Sequence, residues 1–127
     1  RQRQEAYNDD SDDPIVAMLY KFLDMKLPAD WATRDIPDRR RYIRTPDPLQ
    51  ADGVEMRSRV CAAEFICEQL GREISDKEFK YLARRVNKLI AGMPNWEPIS
   101  TSRHAERWYG RQRAYRRIDN TENEDDL

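Results

Sequence analysis

Between Phe79 and Met93 the apolar residues keep one helical spacing. Phe79, Leu82, Ala83, Val86, Leu89, Ile90 and Met93 stand at i, i+3, i+4, i+7, i+10, i+11 and i+14. With about 3.6 residues per turn they fall in one stripe, and a helix with such a stripe needs the rest of the chain to cover it. Ser75 with Glu78 has the capping-box pattern, and Gly92 and Pro94 are stop signals. The spacing predicts a helix over 75–92 that buries Phe79, Leu82, Val86, Leu89 and Ile90. Its other side carries Lys77, Lys80, Tyr81, Arg84, Asn87 and Lys88.

A second helix is predicted just upstream, over 61–70. Cys61 and Glu64 stand at capping-box spacing, Ala62, Phe65, Ile66 and Leu70 make an apolar stripe, and Gly71 ends it. Only residues 71–74 separate the two, which is the connection of a helix-turn-helix. "NWEPI", the polar "STSRHAERW" and "YGRQRAYRRI" then follow. They predict two antiparallel strands around a wing loop, with Val60 as a third, minimal strand. The order helix, turn, helix, strand, loop, strand is that of a winged helix-turn-helix.

Further towards the N-terminus, Asp13 and Pro14 have the pattern of a helix start. Ile15, Val16, Leu19, Phe22 and Leu23 continue it, predicting a helix over 14–25. Trp31 is expected as a buried anchor, with a short helix over 36–43 and a loop at "TPDPLQADG". The fold class expected is mainly α within α+β: a helical N-terminal extension and a winged helix-turn-helix with a small β-hairpin wing. The divisions expected are a flexible acidic arm at 1–13, the extension at 14–56, the winged domain at 57–118 and a disordered acidic tail at 119–127.

Charge follows these divisions. The net charge of the 127 residues is −1, but residues 57–118 hold 14 Lys/Arg against 7 Asp/Glu, a net +7. Residues 1–56 hold 9 against 12, a net −3, and residues 119–127 hold 5 acids and no base. In "YGRQRAYRR", Tyr109 to Arg117, every base is arginine. Charge on an edge strand serves to prevent aggregation, but lysine would do as well, and guanidinium adds a planar fork that grips phosphate. Strand alternation sets Arg111, Arg113, Tyr115 and Arg117 on one side, with Tyr115 expected on the core. Arg103, Arg107, Arg111, Arg113, Arg116 and Arg117 are the wing candidates for nucleic-acid contact. Lys77, Lys80, Tyr81, Arg84 and Lys88 are the helix candidates. "RRRYIR", Arg39 to Arg44, is a second basic patch, open to either a DNA path or docking of another domain. Trp96 is expected in the core, and Trp108 is the better candidate for stacking on a base, with core packing as the alternative.

No catalytic constellation is legible. Gly53, Gly71, Gly92 and Gly110 are isolated, so no phosphate-cradling loop forms. Glu64 and Glu68, four apart, are read as a solvated helix face. Cys61, Cys67 and His104 are too few for an ordinary zinc site, and two cysteines six apart on one helix cannot bridge, which suits a reducing compartment. No apolar run is long enough for a membrane span. No enzyme activity, cofactor or metal is expected. The start at "RQRQEAY", without an initiator Met, suggests a piece of something longer.

"RVCAAEFICEQLG", "MPNWE" and "YGRQRAYRR", in this order, and "LPADWATRDIPDRRRYI" before them, resemble the C-terminal region of the virulence-associated protein E family. The resemblance covers roughly 14–117. The chain departs from the pattern at Ile66 or Cys67, where family members often have Trp, and at "RWYG", where "FGPYG" is common. These are phage or mobile-element proteins with a central P-loop helicase/primase-type ATPase. The resemblance implies a cytoplasmic, non-catalytic accessory domain that binds DNA, with 14–56 linking it to an ATPase upstream in the same polypeptide. The alternative is a docking module for the ATPase, a loader or a second copy.

Overall fold

The computed structural model describes residues 13–44, 55–99, 104–106 and 108–118. The acidic tail, the loop at 45–54, Arg103, Arg107 and the arm before Asp13 lie outside the described residues. Helix α1, Pro14–Asp24, starts as its sequence predicts: Pro14 needs no donor, and the Asp13 carboxylate accepts the Ile15 N–H at 2.9 Å. The helix buries Val16, Leu19, Phe22 and Leu23. Strand β1, Lys26–Leu27, and the 3₁₀ turn Trp31–Thr33 lead to helix α2, Ile36–Arg44. Strand β2, Glu55–Met56, pairs antiparallel with β1.

Strand β3, Arg59–Cys61, runs into helix α3. This helix begins with one α turn, Ala62–Glu64, and continues as a π-helical segment, Phe65–Gln69. The Cys61 N–H donates to Glu64 Oε1 at 3.0 Å, the bond expected of the acid in a capping box. The wider turn shows in the Leu70 N–H, which bonds the Phe65 carbonyl at 3.1 Å. Gly71, at φ +73°, then reverses the chain in the left-handed region.

Helix α4 spans Phe79–Ala91, one turn shorter than predicted. The Ser75–Glu78 box does not close. The Glu78 carboxylate is held by Arg72 at 3.0 Å, and the Phe79 N–H bonds the Asp76 carbonyl, so residues 75–78 remain turns. Phe79, Leu82, Val86 and Ile90 are buried as expected, whereas Leu89 is only partly so. Met93 is buried just past the helix end.

Four strands follow: β4, Trp96–Pro98; β5, His104–Glu106; β6, Gly110–Gln112; and β7, Ala114–Arg117. The main sheet is antiparallel in the order β3-β7-β4, with Val60 opposite Tyr115 and Trp96 opposite Arg117. Between β4 and β7 the chain makes a separate hairpin, β5 with β6, with His104 opposite Gln112. The arginine segment is therefore two strands broken at Arg113, and the alternation expected across it does not hold.

The protein is α+β, with four helices and small antiparallel sheets among the described residues. One core collects Leu19, Phe22 and Leu23 of α1, Trp31 and Ile43, then Val60, Phe65, Ile66, Val86, Ile90, Trp96 and Tyr115. Phe22 meets Phe65 edge to face with ring centres 5.4 Å apart. Residues 14–44 thus share their core with residues 57–118.

Candidate nucleic-acid interface

The stripe that buries one side of α4 leaves the opposite side in solvent. Lys77, just before the helix, and Lys80 and Arg84 on it line an open cleft of about 730 Å³. Gln112 and Arg113, at the junction of β6 and β7, line it as well. Tyr115 fixes the strand against the helix: its ring is buried and its hydroxyl donates to the Asn87 carbonyl at 3.3 Å. Burial raises the Tyr115 pKa, against the opposing charge of Arg113. Lys77, Lys80, Arg84 and Arg113 are all exposed, and none forms an ion pair among the described residues. Asp76, which also lines the cleft, lies 3.8 Å from Arg72. The cleft is therefore a concentration of positive charge with its ammonium and guanidinium groups accessible to an anion.

The remaining candidates are dispersed. Tyr81 and Lys88 are exposed on α4 but do not line the cleft. Arg111 is exposed on β6, opposite Ala105. Arg116 is exposed and paired across the sheet with Glu97. Arg117 is engaged within the fold. Its guanidinium lies 4.6 Å from the Trp96 ring centre and donates to the carbonyls of Arg57 at 2.7 Å and Leu23 at 2.6 Å. Burial lowers its pKa, with Asp24 opposing. Trp96 is in the core, and Trp108 is partly exposed with its indole N–H on the Arg34 carbonyl at 2.9 Å.

The structure also holds an ionic cluster that the sequence reading places on the surface. Glu68 is buried, and Glu64 nearly so, where a solvated face is expected. Arg39 Nη1 reaches Glu68 Oε2 at 2.8 Å and Glu64 Oε2 at 3.4 Å, and Arg57 Nη1 stands 3.8 Å from Glu64 Oε2. The Tyr109 hydroxyl donates to Glu68 Oε2 at 2.6 Å. Burial pushes the Glu64 carboxyl up to about 7, with Arg57 opposing. Burial, then the Glu68 charge, pushes the Tyr109 phenol well above its ordinary value, and burial lowers the Arg57 pKa. Arg40 donates to the Cys67 carbonyl at 2.7 Å, so two arginines of the "RRRYIR" patch dock α2 on α3. A signal was present for Glu64: "CAAEFIC" is otherwise apolar all round, the mark of a buried helix, so the acid within it is buried too. Cys61 and Cys67 are buried and not joined in a disulfide, and burial pushes the Cys67 thiol up to about 11.

Among the described residues no helix is long and apolar enough to cross a membrane. No group of three or more His, Cys, Asp or Glu among them is arranged to hold a metal ion. No protein-family model matches the chain, and no curated protein matches it.

Proposed function

We propose that this chain is a DNA-binding domain of winged helix-turn-helix type. In this reading α3 and α4 are the helix-turn-helix, α4 the recognition helix, and the β5–β6 hairpin the wing. The sheet order β3-β7-β4, with a hairpin between its last two strands, supports this reading. The observation that carries it is the meeting of Lys77, Lys80 and Arg84 with Arg113 in one cleft. Phosphate backbone is the ligand that such a row of exposed cations suits best. By the family resemblance in the sequence, the domain is a non-catalytic accessory to a phage-type helicase/primase ATPase upstream in the same polypeptide, which it would hold on DNA.

Fluorescence anisotropy with random duplex and single-stranded DNA at two salt concentrations tests this. Arg113→Ala is expected to weaken binding to all sequences alike and to flatten the log affinity versus log salt slope by about one unit on duplex DNA. If α4 reads bases, Lys80→Ala and Arg84→Ala cost about 1–3 kcal/mol on a preferred site and less on random DNA. Absence of salt-dependent binding to any DNA at about 50 mM salt rejects the proposal. It would favour protein docking, for which Ile74 in the cleft and the exposed Tyr81 on α4 offer apolar contact.

A further inference from the structure

The cleft beside α4 has a shape as well as a charge. A recognition helix reads duplex DNA by entering a major groove about 12 Å wide and about 8.5 Å deep. An α-helix with its side chains is about 10–12 Å across, so it fills that groove alone and has to stand clear of the chain around it. The outer face of α4 is instead one wall of a concavity. The turn with Ile74 and Lys77, and the β6–β7 junction with Gln112 and Arg113, line the cleft together with Lys80 and Arg84. Its cations come from three segments of chain, so an anion within it meets positive charge on more than one side.

The lining is not purely polar. Ile74 is 43% exposed there, beside Phe79 and the partly buried Ala83. Asp76, the one acid among the described lining residues, accepts the Glu73 N–H at 3.3 Å and lies 3.8 Å from Arg72. A duplex turns its phosphates outward and keeps its bases stacked inside, so an apolar side chain set among backbone-binding cations gains nothing from it. An unpaired nucleotide offers both a phosphate for the cations and a base face for an apolar surface. Resting on the reading of this cleft as a DNA interface, we propose that it takes a single strand in preference to a duplex. Backbone phosphates lie on Lys77, Lys80, Arg84 and Arg113, and a base covers Ile74. Lys80 and Arg84 are four residues apart, about 6 Å along the α4 axis, so the strand runs beside the helix and meets its cations in succession. A charged groove that tracks the backbone, with a surface for bases inside it, is how single strands are held without regard to sequence.

The test is fluorescence anisotropy of the full chain at about 50 mM salt, with a thymidine oligomer of about 12 nucleotides and with a random duplex of the same length. The single strand should bind about fivefold tighter or more. Ile74→Ala should weaken single-strand binding about threefold or more and leave duplex binding unchanged, whereas Arg113→Ala should weaken both. Ile74→Phe, which offers a ring to the base, should bind the single strand at least as tightly as the native chain does. Ile74 is exposed in a turn, so both of its variants should melt as the native chain does. Duplex binding as tight as single-strand binding, or Ile74→Ala without effect on the single strand, overturns this inference and leaves the cleft a DNA interface. Absence of binding to either form overturns the DNA reading as well.

Discussion

Glu64 carries three duties at once. Its Oε1 accepts the Cys61 N–H, its Oε2 faces Arg39 and Arg57, and it lines a cavity. Burial outweighs both arginines and lifts its pKa from 4.5 to about 7. Below about 4.5 folded and unfolded chains both hold this proton, and above about 7 neither does. Between those limits only the folded chain holds it, so this contribution is present in full below the lower value and is lost as pH rises through about 7. The full span corresponds to about 3 kcal/mol at most. Glu64→Gln keeps an oxygen for the Cys61 N–H and removes the titration. Urea unfolding at pH 5 and pH 7.5 should therefore show the stability gap shifting towards the glutamine variant at the higher pH. A gap that does not move with pH would mean an ordinary carboxyl. Glu64 and Glu68 read as a wet helix face because acids four apart usually mark one, although the apolar run around Glu64 pointed to burial. Their burial depends on Arg39 and Tyr109, which lie 25 or more residues away in the chain.

At the scale of elements, α4 links the core to the charged cleft. Leu82 is 7% exposed on its inner side, while Lys80 and Arg84 line the cleft on its outer side. Leu82→Ala should cost about 2–5 kcal/mol, read as a lowered melting temperature, and an unchanged melt would contradict the packing described. Both α1 and α4 were legible because each keeps one apolar stripe over several turns. The cap of α4 was not, because Ser75 and Glu78 had competitors: Asp76 accepts the Glu73 N–H, and Arg72 takes the Glu78 carboxylate. The two-residue pair β1 with β2, and strand β5 of the hairpin, are too short to leave a period-2 pattern, so β5 read as part of a plain loop. The arginine run was legible as positive charge but not in its division. The break at Arg113 sends that residue to the cleft, while β7 carries Arg117 back against Trp96.

For the molecule as a whole, the distribution of charge matters more than its sum. The basic part is bounded in sequence by an acidic tail at 119–127, and losing its five carboxylates moves the net charge from −1 to +4. Arg113 precedes β7 and Ile118 follows it, so the strand separates them by roughly 17 Å at about 3.3 Å per residue. Nine residues extend at most about 30 Å, which is enough for a chain leaving Ile118 to return to the cleft. If the tail competes with DNA there, its removal should tighten DNA binding, and should do so more at about 20 mM salt than at about 150 mM, where the screening length falls below about 10 Å. Among the described residues the buried apolar side chains run from Val16 to Tyr115, so the shortened chain should melt as the full one does. Anisotropy titrations of both chains at the two salt concentrations decide it. Equal affinities at the lower salt would show that the carboxylates act on nothing in the cleft.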